Sequence, residues 1–105
     1  MKMIYDTGKI DIMAKRNDGG IDLFIVSTGV IDASAETQKI LLDKVENYLN
    51  YINSSEFRQE FAEVKKDRIT IVFELEEQMP ELLSELCEKI ALWTNESGVK
   101  FSVVA

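Results

Sequence analysis

Apolar positions along the chain recur with two periods, two and about 3.6 residues, and the switches between them predict the elements. From Lys9 to Arg16, Ile10, Ile12 and Ala14 alternate with Lys9, Asp11, Met13 and Lys15, the pattern of a half-buried strand. Asn17-Asp18-Gly19-Gly20 follows, and Asp18-Gly19 predicts a two-residue hairpin turn into a second strand, Ile21 to Thr28. Pairing outward from that turn sets Lys15 opposite Asp22, Ala14 opposite Leu23, Met13 opposite Phe24 and Ile12 opposite Ile25. Like faces then meet, and opposite charges pair on the outer one.

After the loop the period lengthens. A helix is predicted from about Ser34 or Ala35, capped by Ser34 or Asp32, with Glu36 in its first turn and Leu41, Val45, Tyr48, Leu49 and Ile52 as its buried stripe. Asn53-Ser54-Ser55 interrupts it, and Ser54 or Ser55 caps a second short helical piece from Glu56 to Val64, anchored by Phe57 and Phe61. Arg68 to Leu75 alternates again as a third strand. Pro80 starts a second long helix in its first turn, with Leu82, Leu83, Leu86, Ile90 and Trp93 as the apolar face and Gly98 at its end. Val99 to Val104 forms the last strand.

The order is ββαβαβ, an α+β fold of the two-layer α/β sandwich type in one domain over residues 1–105, with 1–8 as a loose N-terminal arm. Right-handed crossovers put both long helices on one face of a four-stranded mixed sheet, with strands two to four parallel and strand one antiparallel. Ile10, Ile12, Ile21, Leu23, Ile25, Ile69, Ile71, Phe73, Val99, Phe101 and Val103 are expected on that face. The opposite face is mostly polar but also takes Met13, Phe24, Val26, Val72 and Val104, and the first four form an apolar band with no long helix left to cover it. Apolar patches rimmed by polar groups mark association surfaces, and a two-fold dimer through this face is the simplest closure.

Composition narrows the partners. Nineteen acidic residues against twelve basic ones leave a net charge of -7, which argues against binding the phosphate backbone of nucleic acid. The chain has no histidine, so a histidine base, triad or metal ligand is excluded. The single cysteine, Cys87, rules out an internal disulfide and any multi-cysteine metal site. No stretch reaches the roughly 20 apolar residues of a membrane helix, and the first residues lack the pattern of a secretory signal. A cytoplasmic protein without membrane contact is the expectation.

Candidate chemistry is sparse. The loop "STGVIDAS" after strand two lies where α/β proteins hold phosphate, but it offers one glycine and no base, while Glu74, Glu76 and Glu77 follow strand three nearby. Those acids would repel an anion. Asp32, Glu76 and Glu77 could instead draw a divalent cation, without the spacing of a calcium loop. Asp11 and Asp22 share a face but lie roughly 13 Å apart along the strands, too far to act on one bond. Cys87 sits at the edge of an apolar stripe among acids, which suits an inert buried thiol.

The stretches "IDIMA", "ILLDKVENYLNYINSSEF", "ITIVFEL" and "PELLSELCEKIALWTNESGVKFSV" resemble a family of small bacterial ββαβαβ domains of unknown function, over about residues 10 to 104. Members often carry His and Trp in the loop after strand two; this chain has neither between Ser27 and Thr37. The resemblance implies the fold and no reaction, cofactor or site residues. The expected function is therefore non-enzymatic: self-association or protein binding through Met13, Phe24, Val26 and Val72, with no cofactor and no metal. Small acidic proteins that neutralise a toxin belong to that class. The alternative is a small-ligand or cation site in the loops 28–34 and 74–79.

Overall fold

A computed structural model describes residues 12–27, 32–76 and 78–104. The expected start of the first strand, the arm at 1–8, Asp11, the loop positions 28–31 and Glu77 lie outside the described residues. Two strands open the fold, β1 (Ile12–Lys15) and β2 (Ile21–Ser27), followed by α1 (Ala35–Ile52) and a short α2 (Ser55–Glu60). A 3-10 turn at Lys66–Arg68 leads into β3 (Ile69–Leu75), then α3 (Glu81–Glu96) and β4 (Lys100–Val104). The sheet order is β1-β2-β3-β4; as the pattern predicts, β1 is antiparallel to β2 and the other pairs are parallel.

One face of the sheet carries the core. Ile21, Leu23, Ile25, Ile69, Ile71 and Phe73 are all buried beneath the helices, which contribute Leu41, Val45, Tyr48, Leu83 and Ile90. Tyr48 also donates its hydroxyl to the Phe24 carbonyl, tying α1 to β2. Ser34 caps α1 and Ser54 caps α2, each hydroxyl accepting the backbone amide three residues on. Pro80 stands one position earlier than expected, as the cap with ψ 146°, and Glu81 opens α3. Proline costs nothing in either place, because neither amide is needed by the helix.

The hairpin departs from the expected register by one residue. Ile12 pairs with Phe24, Met13 with Leu23, Ala14 with Asp22 and Lys15 with Ile21. The Gly19 amide donates to the Arg16 carbonyl at 3.1 Å and the Arg16 amide to the Gly20 carbonyl at 2.8 Å, so three residues connect the strands rather than two. The physical reason is backbone handedness. A two-residue turn of the favoured hand needs positive φ at both Asp18 and Gly19, whereas here only Gly19 takes it, at +88°. Asp18 keeps negative φ and accepts the Gly20 amide at 2.8 Å and Arg16 Nε at 3.2 Å. Those contacts, the Gly20 amide foremost, hold its carboxyl below the ordinary range.

A one-residue shift in register sends a strand's side chains to the other side of the sheet. Met13 therefore stands beside Leu23 on the helix face, not beside Phe24, and Lys15 reaches over the Phe61 ring at 5.4 Å rather than meeting Asp22. Arg16 takes that role, its guanidinium meeting the Asp22 carboxylate, the Arg68 carbonyl at 2.9 Å and Thr70 Oγ1 at 3.4 Å. Gly20 makes room for it: a Cβ there would lie 1.9 Å from Arg16 Nη2 and 2.6 Å from the Arg68 carbonyl. Gly20→Ala is expected to cost about 2 kcal/mol in urea unfolding. Adding Arg16→Ala should relieve only part of that loss, because the Arg68 carbonyl belongs to the backbone and cannot step aside.

Candidate interaction surface

Pairing across β2, β3 and β4 sets three rows on the face opposite the core. Asp22, Thr70 and Lys100 form one, Phe24, Val72 and Ser102 the next, and Val26, Glu74 and Val104 the third. Both long helices lie on the other face, so among the described residues no helix roofs these rows. Of the four residues expected to make the contact, three share this face and Met13 does not. Phe24 and Val26 are half-buried, whereas Val72 is only 6% exposed and adds packing rather than contact area. Arg16 closes one end of the face through Asp22 and Thr70. The open apolar part is thus Phe24, Val26 and Val104, the last 49% exposed.

Asp32 and Ser34, just before α1, form its cap. Asp32 Oδ1 accepts the Ser34 amide at 3.1 Å, Ser34 Oγ at 2.8 Å and the Thr37 hydroxyl, while Ser34 Oγ accepts the Thr37 amide at 3.2 Å. A carboxylate occupied by three local donors organises the first turn of its own helix. Beside it Ser27 ends β2 with a buried hydroxyl that has no partner among the described residues, and its carbonyl accepts the Glu76 amide at 3.1 Å. Among the described residues no three His, Cys, Asp or Glu side chains converge as a metal site.

Cys87 lies deeper than expected. It is 5% exposed, in line with Leu83, Ile90 and Thr94 on the face of α3 that meets the sheet, while Leu82 is 61% exposed. The buried stripe of α3 is therefore rotated from the expected one by about 60°, a sixth of a turn. Burial pushes the Cys87 thiol up to about 11, and that desolvation, rather than neighbouring acids, is the cause. A thiol so shifted, with no histidine in the chain, is a poor nucleophile.

Two features were invisible to pattern reading. Lys44 is fully buried on α1, its Nζ 5.7 Å from the centre of the Tyr48 ring. A lysine on an amphipathic helix ordinarily reads as solvated, and only its place one turn before Tyr48 and one residue before Val45 hints otherwise. The second is the distribution of exposed large apolar side chains: Leu82 and Leu92 on α3, Val103 and Val104 on β4, and Met13 at the β1 edge. Among the described residues, four of these five side chains belong to α3 and β4.

Comparison with known proteins adds a family. The pattern of a family of unknown function, DUF6572, matches residues 2–105, nearly the whole chain. The chain belongs to that family. No curated protein and no solved structure matches it. Membership in DUF6572 agrees with the resemblance to a small domain family without assigned function. No helix among the described residues is long and apolar enough to cross a membrane.

Proposed function

We propose that this DUF6572 domain is a non-enzymatic, cytoplasmic protein-binding module that pairs with a second copy of itself or with a basic partner through the outer sheet face. The observation that carries the reading is the position of Phe24 and Val26, only partly buried on a sheet face that neither long helix covers. Burying such side chains against a partner recovers about 25 cal/mol per Å² of apolar surface. The net charge of -7 favours a basic partner by electrostatic steering.

Size limits the strength. Four strands about 4.8 Å apart and about 20 Å long present roughly 400 Å², half of the roughly 800 Å² per partner in a standard interface. Association through this face alone is therefore weak. Phe24→Asp tests it in sedimentation velocity at about 100 micromolar, where a standard small interface is populated. The wild-type chain is expected to sediment partly as a dimer and the variant as a monomer. A wild-type chain that is monomeric throughout, together with an unchanged set of captured partners for Phe24→Asp, would remove this face from the function.

A further inference from the structure

The free edge of the sheet at β4 offers a second surface, built differently. β4 ends the order β1-β2-β3-β4 and, among the described residues, pairs only with β3. Alternate residues of such a strand aim amide and carbonyl groups outward, and proteins ordinarily blunt a free edge with proline, a bulge, an inward charge or a covering segment. The Lys-Phe-Ser-Val-Val sequence of β4 has no proline and a single charge, Lys100 at its first position, and its residues on the helix side, Phe101 and Val103, are apolar. Beside it a groove of about 360 Å³ opens between α3 and β4, with Met79, Cys87, Ala91, Phe101 and Val103 along it. Glu88 is its one charged lining residue.

A strand edge that among the described residues pairs on one side only, beside an apolar groove, is the arrangement that captures an extended peptide: backbone hydrogen bonds hold it, and alternate side chains enter the groove. We propose that β4 accepts an extended segment of a partner protein as a fifth strand, its apolar side chains entering the α3–β4 groove and a lysine or arginine meeting Glu88. Charge selects this occupant over a second copy. Two-fold pairing of β4 with itself would bring two α3 helices alongside each other, each carrying Glu81, Glu85, Glu88 and Glu96 against Lys89 alone. A basic segment meets the same carboxylates favourably. This surface is separate from Phe24 and Val26 and does not depend on them.

The test uses the full chain, labelled with nitrogen-15, and a synthetic capped peptide, Lys-Val-Thr-Val-Thr-Val-Lys. Saturating peptide is expected to slow exchange of the outward amides within residues 100–104 about tenfold and to leave those of 12–15 unchanged. Replacing both peptide lysines with glutamate, or Glu88 with lysine in the protein, should each weaken binding about fivefold. Phe24→Asp should leave it intact. The proposal fails if those amides stay unprotected at millimolar peptide, or if Lys-Val-Pro-Val-Pro-Val-Lys, which lacks the central amides, protects them equally. It fails too if they are protected without peptide, either increasingly with protein concentration, which assigns the edge to a second copy, or at every concentration, which assigns it to the chain itself.

Discussion

Phe73→Ala is expected to destabilise the domain by about 3–5 kcal/mol, a large part of the 5–15 kcal/mol that holds a small domain folded. Phe73 is fully buried at the centre of β3, between Ile25 of β2 and Val103 of β4, beneath the helix layer. Truncating the ring removes its transfer energy and leaves a cavity that three hydrogen-bonded strands cannot collapse to fill. With a urea slope of about 1.3 kcal/mol per molar, the midpoint should fall by about 2–4 M with the slope unchanged. Val103→Ala provides the contrast: it lies on the same face in register but is 39% exposed at the edge, so its loss should stay below about 1 kcal/mol. Similar losses for the two would contradict a core centred on β3.

Alkaline pH should destabilise the protein through its single thiol. Folding raises the Cys87 pKa from 9.0 to about 11 by burial, so the folded state holds the proton where the unfolded chain has lost it. The stability this contributes is complete below pH 9.0 and is lost as pH rises through about 11, a change of about 2–3 kcal/mol. Tyr51, raised first by burial and then by Glu60 and Glu56, acts in the same direction above its ordinary range. Urea midpoints between pH 8 and 11 should therefore fall in the wild-type chain and much less in Cys87→Ala. At neutral pH the same shift makes alkylation by iodoacetamide about a hundredfold slower than for an unburied thiol, until urea unfolds the chain. Rapid alkylation of the native protein would contradict the burial.

Helices, caps and three of the four strands were legible because each rests on local chemistry. Ser34, Ser54 and Gly98 stand where orphan amides and carbonyls need them, and the alternation in β2, β3 and β4 matches the face each side chain takes. The hairpin was not legible to one residue. Asp18-Gly19 suits a two-residue turn in isolation, but Arg16 gains contacts with Asp18, Asp22, Thr70 and the Arg68 carbonyl only in the three-residue form. Two of those partners come from residues more than fifty positions away, beyond any local reading. The error carried Met13 to the wrong face and with it one quarter of the expected contact. Leu82 illustrates the same limit on α3, where apolar residues span more than half the circumference and the helix can roll until packing chooses the face.

The order of elements, the right-handed crossovers and the exclusion of histidine chemistry, an internal disulfide and multi-cysteine metal sites follow from residue types and spacing alone, since periodicity, chirality and side-chain inventory are properties of the chain. Which apolar residues remain uncovered was decided by packing. Arg16 bridging to β3, the rotation of α3 onto Leu83 and Cys87, the burial of Lys44 and the place of β4 at the end of the described sheet each depend on groups brought together from distant positions, and a short-range pattern carries no information about such encounters.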